Sequence, residues 1–279
     1  LLEDRSGSAF SGKYKSLFLA NQGPKPERLA ALLDAIAEIY ASVFGPDPIQ
    51  YRVERGLLDV NEEMGVLIQE VVGRKVGPWF LPVFAGVAVS RNEFRWTPRI
   101  RREDGLMRMV PGLGTRAVDR VGDDFPVLVA PGQPQLRVNQ SPDEIARYSP
   151  RHVDALDLEE GDFVTLPVQE LLEKHGDEIP FLGRMVSIHE GDQIRPLVGL
   201  WTRPEPPRYV VTFEGLLKGT PFVEQIHSAL QCLEEALETP VDIEFAHDGE
   251  RLYLLQCRPQ SSRHEGRPAP IPRDLPPDR

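Results

Sequence analysis

The sequence predicts an α+β fold, on three observations. Two long stretches repeat apolar residues at helical spacing, several short runs are rich in β-branched residues, and residues 241–259 alternate as a hairpin. Taken in order, residues 27–44, "ERLAALLDAIAEIYASVF", place Leu29, Leu32, Leu33, Ile36, Ile39, Tyr40, Val43 and Phe44 at helical spacing between Pro26 and Gly45-Pro46. This helix is expected to be core scaffold without chemistry. "GVLIQEVV" (65–72) and "VFAGVAV" (83–89) read as buried strands, with Gly77-Pro78 marking the turn region between them. "PGLGTRAVDRV" (111–121) reads as a loop entering a short helix, and "FPVLVA" (125–130) and "QLRV" (135–138) as short strands. From 139 to 208 the pattern weakens to a helix at 168–175, scattered strands and the rigid turn "RPEPP" (203–207). A strand at 209–213 and an amphipathic helix at 222–237, with Ile226, Leu230, Leu233 and Leu237 on one stripe, lead to the hairpin.

With 279 residues, 41% hydrophobic and 27% charged, the chain can bury a core as one large domain or two lobes. A net charge of −11 argues against nonspecific nucleic-acid binding, which needs a basic face. The local basic run "RIRRE" (99–103) reads as a solvated loop, with an anion site as the alternative. Two cysteines, Cys232 and Cys257, make neither a disulfide framework nor a Cys-rich metal site, so a reducing, cytoplasmic setting is expected. No uninterrupted apolar run reaches the roughly 18–20 residues that span a bilayer, so no membrane is expected as a partner. The chain opens on Leu1 and is read as a piece of a longer protein. Its tail, 261–279, is proline-rich with few large apolar residues and is expected to be a linker.

The hairpin carries the chemistry. Strand side chains alternate faces, so Val241, Ile243 and Phe245 point one way and Asp242 and Glu244 the other. On the second strand Gln256 and Arg258 share a face. A two-residue Asp248-Gly249 loop would put Glu244 and Gln256 on opposite faces. A three-residue loop, His247-Asp248-Gly249, or a bulge would bring all four polar residues together. Local turn rules favour the first, while a shared function favours the second, and the three-residue loop is the expectation tested below. Two oxygen-bearing side chains on adjacent strands suit Mg²⁺. An arginine two residues on could face the same phosphates. From spacing alone, an ordinary edge hairpin with a wet polar face is the default against which this reading stands.

The motif Asp242-Ile243-Glu244-Phe245 with Leu255-Gln256-Cys257-Arg258 resembles the nucleotide-binding domain of the phosphoenolpyruvate synthase and pyruvate phosphate dikinase family. "EDRSGSAFSGKYKSLFLANQG" (3–23) looks like that family's glycine-loop segment, with Glu3, Asp4, Phe10, Gly12 and Ser16 in place. "ASVFGPDPIQYRVERGL" (41–57) and "GVLIQEVVG" (65–73) are similar to further segments, the second to a hinge strand. "PGLGT" (111–115) is similar to a Gly-Leu-Gly-Glu segment, from which Thr115 departs. The likeness covers roughly 1–145 and 209–259, leaving 139–208 without a recognised counterpart.

The resemblance implies an ATP-grasp-like domain over 1–260, with its first lobe incomplete. It implies ATP and Mg²⁺ as cofactors, with Glu244 and Gln256 as metal ligands, Asp242 in the nucleotide site and Arg258 stabilising the transferred phosphoryl group. Gly12, Lys13, Tyr14, Lys15 and Ser16 would lie over the phosphates, and Gln69, Glu70, Val71 and Val72 would meet adenine. The family's phosphohistidine domain and pyruvate-binding domain are the implied partners, both outside this chain. None of the histidines (His152, His175, His189, His227, His247 and His264) sits in the family's phosphohistidine signature. The alternatives are a nucleotide-binding regulatory module without phosphotransfer and, further off, an ATP-grasp ligase with another acceptor.

Overall fold

The computed structural model describes residues 14–60, 63–118, 122, 124–197 and 207–260. It is a mixed α+β chain. Helices α1 (Lys25–Ser42) and α2 (Pro46–Arg55) come first, each entered through proline in its first turn. Strands β1 (Arg74–Val76), β2 (Trp79–Leu81), β3 (Phe84–Val89) and β4 (Leu106–Pro111) follow, then the short helix α3 (Thr115–Val118) and β5 (Val127–Val129). The middle of the chain holds α4 (Pro142–Arg147), β6 (His152–Asp157), β7 (Phe163–Pro167), α5 (Val168–His175), α6 (Leu182–Met185), β8 (Val186–Glu190) and β9 (Gln193–Pro196). It closes with β10 (Arg208–Val211), α7 (Glu214–Gly219), α8 (Phe222–Leu237), β11 (Val241–His247) and β12 (Leu252–Pro259).

The strands form three antiparallel sheets, ordered β1-β2-β6-β7, β10-β8-β9 and β12-β11-β3-β4-β5. The five-stranded sheet positions the site. Val241, Ile243 and Phe245 on β11, Ala88 and Phe84 on β3, and Met107 and Met109 on β4 are buried on one face. Helix α8 packs there through Phe222, Ile226 and Leu230, with the Phe222 ring 5.8 Å from that of Phe245 and 5.2 Å from that of Phe84. Burying a large apolar side chain of this kind contributes about 1.5–3 kcal/mol. The opposite face carries the even-numbered residues of β11, and α3 covers part of it through Val87, Val110 and Ala117.

Several expectations change. Residues 65–72 form no strand: they are irregular, with Leu67 72% exposed, because β-branched composition cannot supply a pairing partner. "QLRV" is likewise irregular. The Gly77-Pro78 turn instead joins β1 to β2, a hairpin the sequence reading missed. Helix α1 forms, but it is not core scaffold: Leu29, Leu33, Tyr40 and Phe44 are exposed, and only Ala35 within the helix is buried. Periodicity reports a stripe, not the element that covers it. By length and composition the stretch Lys25–Arg55 is apolar enough to cross a membrane, with a window only 11% buried. The sequence reading counted uninterrupted runs, and Asp34 and Glu38 interrupt this one. The proline-rich tail, and all but Pro207 of "RPEPP", lie outside the described residues.

Candidate functional site

Glu244 is paired directly with Gln256 across the β11–β12 ladder, and Asp242 with Arg258, so the four polar side chains share one face. The route to that face differs from the expected one. His247 pairs with Leu252, so the loop runs from Asp248 to Arg251 and not over His247-Asp248-Gly249. That loop alone would set Leu255 opposite Glu244. A register shift at Glu244/Phe245 leaves Leu255 as the extra residue of a bulge and moves Gln256 into place. The Gln69 side chain donates from Nε2 to the Leu255 carbonyl at 3.0 Å, tying the 65–72 segment to the bulge.

The loop itself is built on Asp248, whose carboxylate accepts from the Glu250 and Arg251 N–H groups at 2.7 and 2.8 Å and from the Tyr253 hydroxyl at 2.9 Å. Burial raises the Asp248 pKa, but these hydrogen bonds and nearby His247 outweigh it, and the net shift is downward. Gly249 has φ +103°, and a Cβ there would come within 2.5 Å of Pro180, so both backbone and space demand glycine.

All four polar residues are half-buried. Arg258 reaches Asp242 through Nη2 at 3.1 Å and Nε at 3.3 Å. The face thus pairs a cation with one carboxylate, and two oxygen-bearing side chains, Glu244 and Gln256, lie opposite each other on the same face. Among the described residues no group of three or more His, Cys, Asp or Glu side chains converges on a metal-sized space. The oxygens of Glu244 and Gln256 alone make a small donor set, of the kind a hard ion such as Mg²⁺ takes when phosphate and water complete its shell. Next to the face, burial and then the Asp242 charge push the Cys257 thiol up, so it stays protonated.

The other site candidates are placed as follows. Gly12 and Lys13 lie outside the described residues. Tyr14 packs on Tyr51, as does Leu57. Lys15 pairs through Nζ with Glu38 of α1 and donates its backbone N–H to Ser42 Oγ, and Ser16 is exposed. The structure therefore joins this stretch to the first two helices. Gln69 and Glu70 are exposed and Val71 and Val72 half-buried. Thr115, in the glycine-leucine-glycine segment, donates to Asp154 Oδ2 at 2.6 Å. Asp154 also accepts from Thr165 Oγ1 at 2.7 Å and Arg116 Nε at 2.9 Å, and Arg116 Nη1 bridges to Asp124 at 2.8 Å. This buried network anchors α3 to β6.

One residue on the polar face was not found from sequence. Arg108 of β4 lies opposite Val87, which lies opposite Glu244, so all three point the same way. The available signal was a single charged residue inside the apolar run "LMRMV".

A family model described as pyruvate phosphate dikinase, AMP/ATP-binding domain, matches residues 1–278. The match runs through 139–208, the stretch that the sequence reading left without a counterpart. A comparison with curated proteins finds no match.

Proposed function

The chain belongs to the family of pyruvate phosphate dikinase AMP/ATP-binding domains, and we propose that it binds ATP with Mg²⁺ on the polar face of the β11–β12 hairpin and passes a phosphoryl group to a histidine on a domain outside this chain. The family makes it an ATP-binding domain of the phosphotransferase type; the metal, the acceptor and the ATP-grasp-like arrangement are our reading. The observation that carries it is the direct pairing of Glu244 with Gln256 on the face that also holds the Asp242–Arg258 pair.

Phosphoryl transfer asks a protein for positioning and electrostatic stabilisation more than for covalent chemistry. Glu244 and Gln256 would hold the ion, which when bound neutralises charge on the phosphate oxygens. Asp242 fixes the Arg258 guanidinium, so this cation is oriented before the nucleotide arrives. The segment around Gln69–Val72, anchored by the Gln69–Leu255 hydrogen bond, would offer backbone groups to adenine, and residues 12–16 would lie over the phosphates. The pyruvate-binding and phosphohistidine domains are the proposed partners.

Calorimetric titration of the protein with ATP, with Mg²⁺ present and with it chelated, tests the reading. Binding that needs Mg²⁺ is expected; equal affinity without the ion rejects the metal assignment. Transfer is followed with labelled ATP in the presence of the histidine-bearing domain. Acid-labile, base-stable label on that domain is expected, and its absence under conditions where ATP binds favours a regulatory module.

A further inference from the structure

We propose that Arg108 is a second phosphate-binding cation of this face, one that contacts the phosphate chain of ATP. The proposal rests on the nucleotide reading above. Its basis is register. Gln256 lies opposite Glu244, Glu244 opposite Val87, and Val87 opposite Arg108, so the four form one row across β12, β11, β3 and β4. Directly paired residues project from the same face, and two interstrand spacings put Arg108 roughly 10 Å from Glu244 at the backbone. Val87 is the one residue between them in the row, and an arginine stem is long enough to cover that separation.

Charge makes the case specific. The hairpin's polar residues bring two carboxylates, Asp242 and Glu244, against one cation, and that cation is already held by Asp242. A triphosphate approaching these residues alone would meet a net negative face, which opposes binding. Arg108 brings the row to neutrality without the ion. Its planar fork also matches phosphate oxygens in a bidentate fashion that a lysine cannot reproduce. Its neighbours on β4 are otherwise apolar: Met107, Met109 and Val110 are all buried, and Arg108 alone is charged and half-buried. A central strand that needed only packing would carry a β-branched residue there. Helix α3 covers Val87, within the row, and Val110 through Ala117, while Arg108 itself stays half-buried.

The test compares ATP and AMP binding by calorimetry, with Mg²⁺, for the wild-type protein, Arg108→Gln and Arg108→Lys. Arg108→Gln is expected to weaken ATP by about tenfold or more and AMP by less than about twofold, the size of one charge-assisted hydrogen-bond pair. Arg108→Lys is expected to lose about threefold or more for ATP, because it keeps charge but not the fork. It decides the question by the same ATP-against-AMP split if Arg108→Gln fails to fold. Unchanged ATP affinity in the folded variants overturns the assignment while leaving the nucleotide site intact. Equal losses for ATP and AMP overturn it too, by making Arg108 structural. A wild-type protein that binds no nucleotide removes the functional reading itself, and this proposal with it.

Discussion

Glu244 faces Gln256 directly across the β11–β12 ladder, and the pairing exists only because Leu255 is bulged out of it. Both side chains are half-buried on the face away from α8. Replacing both with alanine removes the proposed metal donors and leaves the apolar face untouched. Glu244→Ala with Gln256→Ala is expected to weaken Mg²⁺-dependent ATP binding about tenfold or more, while unfolding free energy changes by no more than about 1 kcal/mol. Calorimetry and urea denaturation read the two quantities. Unchanged affinity would sink the metal assignment.

The bulge gives a sharper test of register. Deleting Leu255 removes the extra residue and leaves Gln256 opposite Glu244 and Arg258 opposite Asp242 in a regular ladder. Deleting Cys257 instead sets Arg258 opposite Ile243, on the other face, and strips Asp242 of its partner. ATP affinity is expected to stay within about threefold in the first variant and to be lost in the second, since a one-residue slip reverses faces. Comparable affinities in the two would contradict the shared face as the binding surface.

What was legible in the sequence follows from what a one-dimensional pattern can hold. Helices α5 and α8 were placed with their bounds because each carries its own apolar stripe. Residues 65–72 were misread because Val66, Leu67 and Ile68 resemble a buried strand whether or not a partner strand exists. Helix α4 was missed although its capping box, Ser141 with Glu144, is a sequence signal in plain view. At the candidate site, residue types and the family motif pointed to the hairpin. The loop did not reveal the face, because the parity of the pairing depends on a bulge that no turn rule predicts. Arg108 was missed because its place in one row with Glu244 is created by two successive strand pairings, one of them between segments far apart in sequence.

Thr115 stands where the resembling segment carries glutamate, and the structure supplies a reason. Its hydroxyl donates to Asp154, a carboxylate only 4% exposed that already accepts from Thr165 and Arg116. A glutamate would set a second carboxylate against the first. Thr115→Glu is expected to cost about 2 kcal/mol or more in chemical denaturation, by like-charge repulsion and loss of the hydrogen bond. Adding Asp154→Asn is expected to recover part of that loss. Full stability in Thr115→Glu would show that the network does not hold α3 against β6.

The hairpin turn is expected to weaken in acid, and His247 sets where this begins. Its ring stacks on Phe84 at 4.9 Å, and its Nδ1 accepts the Gly249 N–H at 2.9 Å, which only the neutral imidazole can do. Burial lowers its pKa, against an opposing pull from Asp248. The unfolded chain therefore takes up this proton first as pH falls below about 6.5, and stability drops with it. Asp248, also depressed, keeps its contribution above the ordinary aspartate pKa of about 3.9 and loses it as pH falls through its lower folded value. Urea denaturation from pH 8 to pH 4 is expected to show stability falling below about pH 6.5, with a shallower slope over pH 5–6.5 in His247→Phe, which keeps the stacking and cannot titrate. Identical slopes in the two proteins would remove His247 from the acid response.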